Sequence, residues 1–191
     1  MNKKRSNQNR ITMGLLAVYL IVLTWIVLFK MQFSFHDLRQ FTDFRRINLI
    51  PFAGTAIRNG QLDMQEIIYN ILGFIPFGIY VSMLKPKWSF LRKVIPIAGV
   101  SLLFEALQYI FTVGGSDITD LMGNTLGGMI GVGVYVLFSK VFRTKANDIL
   151  NVIGSVGSVC MLGLGWVLFI NDVNYANFVI HTINYLLVFG K

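Results

Sequence analysis

Carboxyl and amide side chains crowd into one short region of an otherwise apolar chain, the segment "FEALQYIFTVGGSDITDLMGNTLGG" at residues 104–128. Its chemically versatile residues are Glu105, Gln108, Asp117, Asp120 and Asn124. Carboxylates three apart on a helix could act as general acid and base or supply oxygen ligands to a divalent ion. Neither a nucleophile motif nor a phosphate-binding loop accompanies them, so the spacing alone does not define a reaction.

Helical spacing gathers these polar residues into stripes. At 100° per residue, one stripe runs down the segment after residue 116, and its members are Asp117, Asp120, Asn124, Gly128 and Gly131. The two preceding apolar segments each have a similar stripe: Ser101, Glu105, Gln108, Tyr109 and Thr112 on one, and Glu66, Asn70, Gly73 and Phe77 on the other. We therefore expect three helices, each with one polar face.

The composition requires a lipid environment for these helices. Of the 191 residues, 54% are hydrophobic and only 14% are charged, and the mean hydropathy is +0.62. The net charge of +8 comes from short Lys and Arg clusters between apolar runs, which is typical of topology-setting charges and argues against nucleic acid as a partner. Cys160 is the only cysteine and His36 and His181 are isolated, so the sequence predicts neither a disulfide, nor a Cys- or His-based metal site, nor a cofactor.

Apolar runs predict an all-α, polytopic helical membrane protein with about five transmembrane helices. The runs are Ile11–Phe29, Ile67–Leu84, Val94–Val113, Leu121–Ser139 and Ile149–Ile170. At about 1.5 Å per residue, the first run covers roughly 28 Å, which is close to the hydrocarbon thickness of a bilayer. Basic residues precede this run and no small-residue cleavage pattern follows it, which favours an uncleaved signal anchor.

The distribution of charge predicts the orientation. A cytoplasmic N-terminus divides the 17 Lys and Arg residues into eleven on the cytoplasmic side and six on the outer side. The predicted organisation is then a cytoplasmic N-terminus (1–10), a four-helix membrane domain (11–148) with an outer loop (30–66), and a fifth helix with an outer tail (149–191). The end of that tail, residues 171–191, fits either an interfacial segment or a short sixth helix.

This orientation puts the polar stripes in the outer half of the membrane. Glu105 is the deepest acid, about 12 Å from the end of its span. A carboxylate at such depth costs on the order of 2.5–3.5 kcal/mol, so it should face protein or water and have a partner. The cationic candidates are Arg45 and Arg46 in the outer loop.

Purely structural roles compete with a functional site at each of these positions. Glu105 and Gln108 could hold helices together by hydrogen bonds, and Asp117 could simply cap the following helix. Glycines at 123, 127, 128, 131 and 133, and Gly154 on the fifth span, favour close helix packing. Pro76 and Pro96 predict kinks or broken helices.

Four sequence blocks together resemble the VanZ-like family of bacterial membrane proteins. They are N-L-I-P-F at residues 48–52, N-x-x-G-F-I-P-F-G at 70–78, E-x-x-Q at 105–108 and D-I-x-D-x-x-x-N-x-x-G at 117–127. The resemblance covers about residues 18–141. The family often has an arginine shortly before the first aspartate, where this chain has Gly114, Gly115 and Ser116.

The resemblance implies a multi-pass protein of the bacterial cell membrane, from a group named for resistance to teicoplanin, a lipid-tailed glycopeptide that acts at the outer membrane face. Its implied partners are membrane lipid and either a teicoplanin-like lipoglycopeptide or a lipid-linked cell-wall precursor. The binding hypothesis uses one set of candidate residues: Arg45, Arg46, Asn48, Asn70, Glu105, Gln108, Asp117, Asp120 and Asn124.

Two other functions use the same residues. In a membrane enzyme, Glu105, Asp117 and Asp120 would be the catalytic candidates, acting on a polyprenyl-phosphate or a lipid-linked sugar. A small lipid transporter is favoured by intramembrane acids and broken helices, and disfavoured because the sequence has no visible inverted repeat, an objection that a homo-oligomer would ease. The sequence leaves both alternatives open.

Overall fold

The computed structural model of this protein describes residues 3–29, 47–53, 57–58, 61–62, 64–111 and 116–189. These residues form five long helices: α1 Lys3–Phe29, α2 Met64–Leu84, α3 Phe90–Phe111, α4 Ile118–Phe142 and α5 Ala146–Phe189. Four two-residue strands complete the described chain: β1 Ile47–Asn48, β2 Ile57–Arg58, β3 Gln61–Leu62 and β4 Ser116–Asp117. The prediction of an all-α membrane protein is confirmed.

Within the described residues, four stretches are long and apolar enough to cross a membrane: Ser6–Val27, Met64–Leu84, Phe90–Phe111 and Ile118–Asn171. The last stretch contains two helices, because the chain turns between α4 and α5 in a single 3-10 turn at Arg143–Lys145. Arg143 has a φ of 47°, in the left-handed region, and its N–H donates to the carbonyl oxygen of Ser139, which ends α4. Each of the five predicted spans thus corresponds to one helix.

Helices α2 and α4 pack most closely together and run in the same direction. A Cβ atom added to Gly127 would lie 2.1 Å from the carbonyl oxygen of Ile71, and one added to Gly131 would lie 2.0 Å from that of Ile75. These glycines let the two backbones touch, as the small-residue pattern predicts. Gly133 is different, because a Cβ there would meet nothing within 4 Å, so the packing prediction is wrong for that glycine.

Helix α3 packs antiparallel against the same pair. A Cβ on Gly128 would lie 2.3 Å from Cγ2 of Ile97. The apolar core around this contact consists of Leu23, Phe74, Phe77, Val81, Ile97, Phe104 and Val132. The rings of Phe74 and Phe104 meet edge to face, with their centroids 6.1 Å apart. Both α2 and α3 continue past their prolines, Pro76 and Pro96, so the broken helices that would favour a transporter are not observed.

Helices α1 and α5 run parallel to each other. The hydroxyl of Thr12 donates to Oδ1 of Asn151 at 2.9 Å, and a Cβ on Gly165 would lie 3.4 Å from the ring of Trp25. Gly154 is closely packed as expected, since a Cβ there would lie 2.5 Å from the hydroxyl of Tyr80. The backbone of residues 171–189 continues α5 as one helix of 44 residues, rather than forming a separate sixth helix.

Candidate functional site

The predicted polar residues meet where the N-L-I-P-F segment lies against the start of α4. Strand β1 pairs in parallel with β4, so that Ile47 lies opposite Ser116 and Asn48 lies opposite Asp117. This pairing joins two parts of the chain that are distant in sequence. It fixes the N-L-I-P-F segment at one end of the helical bundle, which we call the acidic end.

Asn48 organises this segment with both ends of its amide. Its Nδ2 atom donates to Oδ2 of Asp117 at 3.0 Å and also to the carbonyl oxygen of Ala53, while its Oδ1 atom accepts the N–H of Ile50 at 3.1 Å. A short polar side chain that bonds its own backbone two residues onward stabilises a turn. The N-L-I-P-F segment is therefore folded back on itself and attached to Asp117 by one residue.

Asp117 caps α4 and also contacts Glu105. Its Oδ1 atom accepts the N–H of Thr119 at 2.8 Å, and its own N–H donates to Oε2 of Glu105 at 2.8 Å. The capping interpretation of Asp117 is thus correct, and Glu105 supplies a second acceptor at the same helix start, where negative charge is favourable. Both carboxyl side chains are buried, which makes these bonds to backbone N–H groups stronger than they would be in water.

Asp120 and Asn70 join the polar stripes of α2 and α4. Nδ2 of Asn70 donates to Oδ1 of Asp120 at 2.7 Å, and both residues are half-buried. The predicted stripes therefore do face each other rather than lipid. This contact lies one helical turn from the Asp117 cap, so the two aspartates belong to one cluster.

In Gln108 and Asn124, only one end of the side-chain amide has a hydrogen-bond partner among the described residues. The Gln108 amide nitrogen donates to the carbonyl oxygen of Val27, and the Asn124 amide nitrogen donates to Oγ of Ser101, each at 3.0 Å. Their amide oxygens, Oε1 of Gln108 and Oδ1 of Asn124, have no partner among the described residues, although the side chains are only 2% and 1% exposed. A buried acceptor without a donor costs about 1–3 kcal/mol. The acidic end therefore has two buried oxygens that require donors.

Sequence analysis did not assign two residues of the cluster, Thr119 and Ser101, to the site. Two residues that it did assign, Arg45 and Arg46, lie outside the described residues. Thr119 is buried, and its Oγ1 accepts the N–H of Phe52 at 2.9 Å, holding the N-L-I-P-F segment over α4. Ser101 lay on a predicted stripe but was not assigned to the site. Arg45 and Arg46, the predicted cationic partners, lie outside the described residues, and their role stays a prediction.

The cluster offers hydrogen-bond acceptors rather than a preformed metal site. Among the described residues, no three His, Cys, Asp or Glu side chains come close enough together to hold a metal ion. Two apolar cavities lie elsewhere: one of about 500 Å³ between α1, α2 and α5, and one of about 470 Å³ between α3 and α4. The N-L-I-P-F segment lies over the start of α4 at the acidic end.

Five apolar helices of alternating direction, with a buried cluster of acids and amides at one end, define a helical membrane protein. The family model of VanZ/LLP1 matches residues 16–139, and the chain belongs to this family. It is 38% identical over 135 residues to Protein VanZ of Enterococcus faecium, which corresponds to 71% of this chain and 80% of that relative. No solved structure matches the chain. Every described residue of the acidic cluster lies within the matched range.

Proposed function

We propose that this protein crosses the bacterial cell membrane several times and uses its acidic end, facing outward, to bind a glycopeptide of the teicoplanin type or a lipid-linked component of the cell envelope. Binding there would lower the sensitivity of the cell to the antibiotic. Family membership supports the link to resistance. The observation that carries the binding proposal is that the buried amide oxygens of Gln108 and Asn124 have no donors in the part of the chain that the structure describes.

The chemistry of these oxygens selects the kind of ligand. Unpaired amide oxygens accept hydrogen bonds, and the carboxylates beside them add negative charge. A ligand rich in sugar hydroxyls and peptide N–H groups supplies the missing donors. Glycopeptides and lipid-linked cell-wall precursors both combine such groups with a long apolar tail, which suits a site that lies at the end of membrane-spanning helices.

The N-L-I-P-F segment provides a route to the site. It is attached to α4 through the contacts of Asn48 with Asp117 and of Phe52 with Thr119. Its apolar side chains point away from the bundle, since Leu49 is 74% exposed and Ile50 is 68% exposed. Such side chains favour the membrane interface. An amphiphilic ligand moving along the outer surface would therefore meet this segment first and reach the amides by displacing it.

Teicoplanin susceptibility tests the proposal in a strain that lacks the native copy. The variants Glu105→Gln and Asp120→Asn keep the shape and most hydrogen bonds of the acidic end while removing charge. We expect both to express and fold normally in detergent but to lose the protective effect of the unmodified protein. Asp148→Asn is the matched control, because Asp148 accepts a hydrogen bond from Gln8 at the opposite end of the bundle.

Two results would refute the proposal for this ligand. One is an unmodified protein without any effect on susceptibility. The other is full protection by both Glu105→Gln and Asp120→Asn, or a loss of protection that merely follows the loss of folded protein.

The outward orientation needs a separate measurement. Cys160 is exposed, so labelling begins from a Cys160→Ala background. A cysteine introduced at Ser116 should react with a membrane-impermeant maleimide on intact cells, whereas one introduced at Lys87 should not. Labelling at Lys87 alone would place the acidic end in the cytoplasm and exclude direct contact with an external antibiotic.

A further inference from the structure

The end of the bundle opposite the acidic end contains a buried lysine. Lys93 lies in the first turn of α3 and is 5% exposed. Its Nζ atom lies 6.0 Å from the centroid of the Tyr135 ring on α4, a distance at which a cation is only weakly attracted to the aromatic face. Among the described residues, the Tyr135 ring is the contact observed for this ammonium group.

A second polar group, the hydroxyl of Ser82, lies at the same level of the bundle. The side chain of Ser82 on α2 is fully buried, and its Oγ atom has no hydrogen-bond partner among the described residues. Ser82 follows Gly78 by one helical turn, and Gly78 contacts Gly128 of α4. Because α2 and α4 run in the same direction, Ser82 lies beside the turn of α4 that contains Tyr135, which is the turn that Lys93 contacts.

The side chains of Lys93 and Ser82 can both donate hydrogen bonds, and that of Lys93 is positively charged. An ammonium group and a hydroxyl group on two neighbouring helices are suited to the oxygens of an anion. Lys93 also lies in the first turn of α3, where the helix dipole favours negative charge. Ser89 accepts the backbone N–H groups of Arg92 and Lys93 there. Asp148, an acid at this end of the bundle, accepts a hydrogen bond from Gln8 of α1.

We propose that Lys93 and Ser82 form a binding site for a phosphate group, and that its source is the headgroup of an anionic membrane phospholipid. Ser82 lies in the last turn of α2 and Lys93 in the first turn of α3, and the ends of membrane-spanning helices lie at the depth of lipid headgroups. Basic pockets between such helix ends bind anionic headgroups. This site is separate from the acidic end and does not depend on its ligand.

The test measures lipid binding to the purified full chain in a neutral detergent, with phosphatidylglycerol, phosphatidylcholine and inorganic phosphate as the probes. We expect phosphatidylglycerol to bind and to raise the thermal unfolding midpoint, and phosphatidylcholine to have little effect. Lys93→Gln should weaken phosphatidylglycerol binding about fivefold or more, which corresponds to about 1 kcal/mol per basic residue at a membrane surface. Lys93→Arg should retain binding.

Lys87→Gln is the matched control, because Lys87 is an exposed lysine in the segment between α2 and α3. Its effect on binding should stay below about twofold, as expected for an exposed charge. Ser82→Ala provides an independent variant if Lys93→Gln does not fold, and it should also weaken binding. Binding of inorganic phosphate that depends on Lys93 and displaces the lipid would support the phosphate site with the free ion as a second source. Unchanged phosphatidylglycerol binding in both Lys93→Gln and Ser82→Ala, or an equal loss in Lys87→Gln, would overturn the proposal.

Discussion

The two ends of the helical bundle differ in the kind of polar group that they leave unpaired. At the acidic end, the amide oxygens of Gln108 and Asn124, which accept hydrogen bonds, have no partner among the described residues. At the opposite end, Ser82 has no hydrogen-bond partner within the described chain and Lys93 contacts the Tyr135 ring, and both side chains can donate. This difference is the basis of the two proposed binding sites, one that receives hydrogen-bond donors and one that receives an anion.

Interhelical hydrogen bonding nevertheless explains much of the polar interior. The hydroxyl of Tyr135 donates to Oδ1 of Asn147 at 3.1 Å, and that of Thr12 donates to Asn151. Tyr19 of α1 likewise donates to the carbonyl oxygen of Gly73 in α2. In these pairs every group named has its partner, and a purely structural role is sufficient. The same structural role accounts for the hydrogen bonds that the amide nitrogens of Asn124 and Gln108 donate. It does not explain why the amide oxygens of these residues have no partner among the described residues.

The largest expected effect comes from breaking the close backbone contact between α2 and α4, on which both ends of the bundle depend. Gly131→Leu places a side chain where even a Cβ would lie 2.0 Å from the backbone of α2, so α2 and α4 must separate. We expect a loss of about 3 kcal/mol or more in folding free energy, or no folded protein. Size-exclusion elution and the thermal unfolding midpoint in detergent measure it.

Gly133→Leu is the control for this change, because that position has open space around it. The control should fold like the unmodified protein. Equal damage from both substitutions would mean that α4 is rotated relative to α2 in the membrane.

The next effect separates the N-L-I-P-F segment from α4. Asn48→Ala removes the bonds to Asp117 and Ala53 and leaves the N–H of Ile50 without its acceptor. The expected cost is about 1–3 kcal/mol. Amide hydrogen exchange should show that the N–H of Phe52, which donates to Thr119, loses its protection, while α5 keeps its own. Retained protection at Phe52 would show that the segment is held by other contacts.

A comparison of two buried asparagines sharpens the distinction between paired and unpaired amides. Asn151 accepts from Thr12 through Oδ1, whereas Oδ1 of Asn124 has no partner among the described residues. Asn151→Leu should therefore cost about 1–3 kcal/mol, and Asn124→Leu clearly less in the absence of ligand. Thermal unfolding in detergent compares them. An equal or greater cost for Asn124→Leu would show that its oxygen is satisfied within the protein.

The smallest expected effect concerns Ser82. In neutral detergent without anionic lipid, Ser82→Ala removes a buried hydroxyl that has no partner among the described residues. The substitution should therefore leave stability unchanged or raise it by up to about 1 kcal/mol. The unfolding midpoint again reports the change. Destabilisation by more than this amount would mean that the hydroxyl is paired inside the bundle.

Helical spacing was sufficient to predict the polar stripes and most of the glycine contacts, because both depend on residues of one helix. It also explains the exception, since Gly133 is about 200° around α4 from Gly131 and so faces away from α2. The pairing of Asn48 with Asp117 could not be predicted from spacing, because it joins segments that are remote in sequence and depends on the folded loop. Lys93 was counted only as a topology-setting charge, and nothing in its sequence context distinguished it from the exposed lysines nearby.

The central claim is that the unpaired amide oxygens at the acidic end receive donors from a ligand. The most direct measurement is the binding of teicoplanin, and separately of a purified lipid-linked cell-wall precursor, to the full chain in lipid nanodiscs. We predict that the unmodified protein binds at least one of them and that Asn124→Leu weakens this binding about tenfold, equivalent to about 1.4 kcal/mol. Lys93→Gln, at the opposite end, should bind the same ligand unchanged. Binding of neither ligand by the unmodified protein, or equal binding by Asn124→Leu, would contradict the account.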